Sequence, residues 1–87
     1  MSKTHELKIL SEYYWDIVEG RKTFEIRKND RDFQVGDYLI LKEFKREKHT
    51  RRWIALEVTY ITDYEQKEGY VVMGIKLDED YGRGIYS

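Results

Sequence analysis

Gly20-Arg21-Lys22-Thr23-Phe24-Glu25-Ile26-Arg27 has the spacing G-x-K-x-x-E-x-R, and its reading sets how the rest of the chain is arranged. Ahead of it, Tyr14, Ile17 and Val18 fall at i, i+3 and i+4, the apolar stripe of a short helix. Ser11 stands as its N-cap, with Glu12 and Asp16 placing negative charge early. Gly20 ends the helix as a left-handed C-terminal cap. So short a helix must be held by packing. A strand then runs from about Lys22 to Lys28. Alternation puts Thr23, Glu25 and Arg27 on one side and Phe24 and Ile26 on the other. The expectation is a core under Phe24 and Ile26, with a polar cluster opposite and Lys22 at the strand's entrance. Such a cluster suits an anionic or hydrogen-bonding ligand, such as a nucleotide.

Outward from this point the pattern is strand-rich. His5, Leu7 and Ile9 alternate with Glu6, Lys8 and Leu10 in a first strand. Asn29 to Asp32 reads as a polar loop, and Val35-Gly36-Asp37 as a turn feeding a strand from Tyr38 to Phe44. In that turn the glycine supplies the bend and the aspartate fixes it. Lys45 to Arg52 reads as a long basic hairpin tip. Trp53 to Thr62 follows, with Ile54, Leu56, Val58 and Tyr60 sharing a face. After a polar turn from Tyr64 to Gly69, Val71, Met73, Ile75 and Leu77 face the core from a last strand. The acidic tail, 78–87, either frays or packs along an edge. About five strands and one main short helix make an α+β, mainly β chain: a small, mostly antiparallel barrel with the helix over one opening. Closure would remove exposed strand edges, although periodicity alone leaves an open sheet equally available.

Eighty-seven residues read as a single domain, 1–87, without repeats or linkers. There is no cysteine, hence neither a disulfide framework nor a thiolate metal site. His5 and His49 show no ligand spacing, so neither a metal nor a cofactor is expected. Without an apolar run at the N-terminus or one of membrane-spanning length, the expectation is a cytoplasmic protein that enters no membrane. The net charge of -1 hides a segregation: residues 21–31 sum to +3 and residues 42–52 to +4, leaving the remainder at -8. Two basic segments steer a polyanion if they meet in space.

The octet and its surroundings carry a family resemblance. The chain resembles the ASCH family of the PUA-like superfamily, whose signature is G-x-K-x-x-E-x-R. More narrowly, it is similar to a group of small bacterial and phage proteins classed as a domain of unknown function, DUF3850. The matching pieces are His5-Glu6-Leu7-Lys8, Gly20 to Arg31, Phe33-Gln34-Val35-Gly36-Asp37, Val58 to Thr62 and Gly69 to Met73. The resemblance implies a PUA-like barrel whose ligand cleft contains Lys22, Glu25 and Arg27. Some ASCH proteins are amidohydrolases acting on acetylated cytidine, with a threonine nucleophile two residues before the motif arginine. Here that place is taken by Glu25, and Thr23 stands elsewhere. The acidic partner that those enzymes draw from a helical insertion has no counterpart in this chain.

Three functional readings follow. The first is a nucleic-acid-binding module for RNA or a modified nucleotide, with Lys22, Glu25, Arg27, Lys28, Arg31, Arg51 and Arg52 as binding residues. Arginine suits it through bidentate and stacking contacts, and the basic-aromatic mixture at Arg51-Arg52-Trp53 suits single strands. The second is a small hydrolase using Lys22 and Glu25 as an acid-base pair on a modified nucleoside or RNA; whether the chain is an enzyme is left open. The third is a protein-interaction domain of a phage or mobile element, with its tyrosines as contacts. Its oligomeric state is not legible.

Overall fold

A computed structural model describes residues 2–86; Met1 and Ser87 lie outside it. The elements run β1 (Thr4–Leu10), α1 (Ser11–Val18), β2 (Phe24–Lys28), β3 (Tyr38–Lys45), β4 (Lys48–Thr62), β5 (Tyr70–Leu77) and β6 (Arg83–Ile85). One sheet takes the order β1-β3-β4-β5-β2, with β6 pairing β4 beyond the reach of β5. Among the described residues only the β1–β3 pair is parallel. The sheet curls into a half-barrel. Its two edge strands approach across a seam, where the Arg27 Nη2 donates to the Lys8 carbonyl at 2.7 Å. The tail therefore packs rather than frays over 83–85.

The inward positions explain why the sheet curls. Leu7 and Ile9 of β1, Leu39 and Leu41 of β3, Ile54, Leu56 and Val58 of β4, and Val71, Met73 and Ile75 of β5 form one buried cluster. Tyr14 and Ile17 close it from α1, and Phe33 closes it from the loop after β2. Each such side chain contributes about 1.5–3 kcal/mol on burial. The helix itself starts directly from the extended Leu10 with no side-chain cap. Ser11 does not cap it, because its hydroxyl is spent on Glu43. The other end is a Schellman turn: Gly20 N–H donates to the Ile17 carbonyl at 3.0 Å and Arg21 N–H to the Asp16 carbonyl at 2.9 Å. Gly20 sits at φ 78°, which is why the motif opens on glycine.

Three expectations about the strands are corrected. The basic segment is no long tip: β3 and β4 join through a two-residue turn, Arg46-Glu47, with φ of 51° and 64°. Those angles are the type I′ geometry that matches strand twist. The Asn-Gly signature that normally announces this turn is missing, so the sequence pattern concealed it. Tyr60 does not share the inward face, because the register shifts between Val58 and Tyr60. The ring is left 63% exposed. Leu77 is likewise exposed, since β5 ends there as β4 turns to pair with β6. Gly36-Asp37 does act as a structural turn. The buried Asp37 carboxylate accepts from Lys3 N–H at 3.1 Å, Gln34 N–H at 3.0 Å and His5 Nε2 at 2.8 Å.

Candidate functional site

The octet lies at the seam, and its alternation is inverted relative to the expectation. Glu25 is the inward residue at 4% exposure, whereas Phe24 and Ile26 face outward at 44% and 51%. The physical reason is register: Glu25 and Arg27 pair with Met73 and Val71 of β5 and so share the inner face, which at this edge strand also looks across the seam to β1. A buried carboxylate survives there only if paired. Glu25 Oε1 accepts from Lys22 Nζ, and Glu25 Oε2 accepts from Arg27 Nε at 2.8 Å. Lys22 also donates to the Phe24 carbonyl at 2.6 Å. Its ammonium stands 5.1 Å from the Phe24 ring centroid and 5.8 Å from that of Tyr13. Both lie within the range of a cation–π attraction.

Above this triad opens a cleft of about 510 Å³, bounded by β1, the start of α1 and β2. That size falls within the usual range for small-molecule sites. Leu10, Tyr13, Phe24 and Ile26 supply apolar walls, while Lys8, Lys22, Glu25 and Arg27 supply the polar groups. Four of the exposed large hydrophobic side chains are thus gathered at one place. The Thr23 hydroxyl is not among them. Thr23 lines a separate concavity near the end of α1, with Ile17, Leu56 and Ile75.

The remaining candidate residues divide. Arg31 lines a concavity adjoining the cleft, together with Lys42 and His49 of the second basic segment. That segment therefore does reach the octet's neighbourhood, though not through the arginines expected. Arg51 stands exposed in an irregular stretch of β4 at φ 75°, its carbonyl accepting from Tyr86 N–H. Arg52 Nε donates to Glu43 at 2.5 Å, and its guanidinium lies 5.3 Å from the Trp15 ring. Neither lines the cleft or the adjoining concavity. Lys28, at the exposed end of β2, lines neither as well.

Sequence reasoning missed Glu43, a fully buried carboxylate on β3. A register shift between Lys42 and Phe44 sets it against residues 50–52. Glu43 then accepts from the Ser11 and Thr50 hydroxyls, each at 2.5 Å, and from Arg52. Burial pushes its carboxyl up, but those three hydrogen bonds and the Arg52 charge outweigh burial and hold it below the usual glutamate value. The signal was present, since Leu39 and Leu41 point inward and Glu43 continues their alternation. The cluster ties the helix start, β3 and β4 together beside the cleft. Among the described residues, no buried side-chain polar atom lacks a partner.

Comparison with known proteins gives the family. A family model described as "Domain of unknown function (DUF3850)" matches residues 4–75, from the first residue of β1 into β5, and so includes the whole triad. The chain is also similar to an "Uncharacterized 12.9 kDa protein in GpA 3'region" of Escherichia phage P2. The two are 38% identical over 80 residues, covering 91% of this chain and 73% of the phage protein. No helix among the described residues is long and apolar enough to cross a membrane. With residues 4–75 matched, most of its length, the chain belongs to the DUF3850 family.

Proposed function

We propose that the protein is a nucleic-acid-binding module whose seam cleft takes a splayed-out base of RNA or of a modified nucleotide. The observation that carries this reading is the Lys22–Glu25–Arg27 triad set beneath Tyr13 and Phe24. Aromatic rings offer a base a stacking surface, and the polar edge of the cleft offers hydrogen bonds. Of a guanidinium's five donors, Arg27 commits one to Glu25 and one to the Lys8 carbonyl, leaving others for a ligand. Glu25 fixes the guanidinium plane, so the donors are held before the ligand arrives. Duplex DNA is disfavoured, because the eight-residue α1 turns Glu12 and Asp16 outward and carries no basic residue, an unsuitable face for a recognition helix.

The motif spacing and the barrel-like sheet support placing the family within the ASCH, PUA-like group, and a cytoplasmic setting suits the nucleic-acid reading. The triad gives the hydrolase reading no support. Each Glu25 oxygen already accepts from a cation, so the carboxylate is engaged in holding Lys22 and Arg27 rather than standing unpartnered before a substrate. The test is binding of fluorescent single-stranded RNA and DNA, with matched duplexes, at two salt concentrations. Wild type is compared with Arg27→Met and with Tyr13→Ala, whose exposed ring can be removed without opening the core. Salt-sensitive single-strand binding lost in both folded variants is the expected result. Equal binding by wild type and both variants contradicts the proposal.

A further inference from the structure

The concavity adjoining the cleft measures about 380 Å³ and differs from it in chemistry. Lys8, Arg27, Arg31 and Lys42 bring four cations to it against one carboxylate, Glu6, with His49 beside them. The groups come from four separated parts of the chain. Lys8 and Lys42 are register partners on the parallel β1–β3 pair, so their side chains leave the same face. His49 arrives from the start of β4, opposite Phe44, and Arg31 from the loop after β2. Lys8 and Arg27 line both spaces, so an apolar, aromatic compartment is joined to a cationic one across two shared side chains.

We infer that the second concavity is a phosphate subsite. Resting on the reading of the cleft as a base site, this commits the ligand to a nucleotide unit: base over Tyr13 and Phe24, phosphate against Arg31 and Lys42. Arg27 sits at the boundary, where a guanidinium can address base edge and phosphate oxygen together. The site also carries its own competitor. Glu6 holds Lys42 at 2.5 Å in a pair that water reaches on both sides. Such exposed pairs hold weakly, so a phosphate displaces Glu6 from Lys42. The second basic segment thus acts through Lys42 and His49, while Arg52 is retained by Glu43.

Backbone-amide NMR titrations of the protein with uridine, uridine monophosphate, the trinucleotide UpUpU and inorganic phosphate test this. The monophosphate should bind about tenfold or more tightly than uridine, as one charge-assisted contact implies. Arg31→Ala/Lys42→Met should bring the monophosphate down to the level of uridine and leave uridine unchanged. Glu6→Gln, which removes the competing charge, should tighten the monophosphate about two- to fivefold and leave uridine unchanged. A gain of affinity cannot come from damage to the fold. Binding of UpUpU at least as tight as that of the monophosphate would identify a strand's phosphate as the source, and weaker binding a free nucleotide. Equal binding of uridine and its monophosphate by wild type overturns the subsite while the base reading stands. Shifts from inorganic phosphate at Arg31 and Lys42, with none from uridine at Tyr13 and Phe24, overturn the base reading and the joined site with it.

Discussion

Removing one member of the Lys22–Glu25–Arg27 triad should cost more than removing all three. In Glu25→Gln a neutral amide replaces a carboxylate whose side chain is 5% exposed. Its single acceptor oxygen can face Lys22 or Arg27, so one cation loses its partner and both lose their counter-charge. Breaking a buried pair this way costs about 3–5 kcal/mol. Here Lys22 and Arg27 keep 17% and 25% of their side-chain exposure, and swinging toward water recovers part of that. The remaining loss is about 2–3 kcal/mol. For a domain of this size that lowers Tm by roughly 8–24 °C. The triple variant Lys22→Met/Glu25→Leu/Arg27→Met leaves no orphaned charge. It gives up the Arg27 bond to the Lys8 carbonyl, about 1–2 kcal/mol, and gains apolar burial in return. It should melt above Glu25→Gln and within a few degrees of wild type, yet bind no single strand. Thermal and urea unfolding of the three proteins decides the matter. A triple variant as unstable as Glu25→Gln would refute the reasoning, because the residues would then be holding the fold by something other than mutual charge.

Three further outcomes follow from the fold. Glu43 and Asp37 are both held below their ordinary values of 4.5 and 3.8, burial being outweighed in each by hydrogen bonds and an opposite charge. Such groups stabilise the fold above their unfolded pKa and lose that contribution as pH falls through the folded one. Urea midpoints should therefore stay level down to about pH 5 and drop below it, with a shallower drop in Glu43→Gln; an unchanged slope in that variant removes Glu43 from the account. Arg46→Asn/Glu47→Gly supplies the residues that a turn with two positive φ angles prefers. It should raise stability by about 1 kcal/mol, and a lower Tm would contradict the turn geometry. Gly20→Ala meets no atom within 4 Å but must hold a left-handed φ. It should cost about 1 kcal/mol through the helix end alone, leaving ligand affinity as in wild type; lost affinity in a folded Gly20→Ala protein would give the glycine a direct role.

What the residues disclosed, and what they hid, follows from how local each feature is. The helix stripe and its glycine end are short-range patterns, and Tyr14, Ile17 and Gly20 fell where the pattern put them. Inward alternation on β1 and β5 was legible for the same reason, with Leu7, Ile9, Val71, Met73 and Ile75 all buried. The octet was recognisable as a cluster, but its facing was not. Apolar residues on an edge strand ordinarily mark the inside, and only the register that pairs Glu25 with the buried Met73 of β5 makes Glu25 the inner residue. The hairpin and both register shifts depend on pairing partners, so Tyr60 was misplaced and the partners of Glu43 were hidden, although its inward place follows the alternation of Leu39 and Leu41. Basic charge in residues 42–52 was visible as a run. Which cations reach the seam was settled by register: Lys42 beside Lys8, Arg52 turned to Glu43.

The central claim is that a base enters the seam cleft, and photocrosslinking tests it most directly. Single-stranded RNA carrying 4-thiouridine is irradiated with the protein, and the crosslinked residue is identified by peptide mass spectrometry. The account predicts attachment at Tyr13 or Phe24, the two rings that line the cleft, and its loss in Arg27→Met. Crosslinks at Trp15, Tyr60, Tyr64 or Tyr81, exposed rings that do not line the cleft, with none at Tyr13 or Phe24, would contradict it.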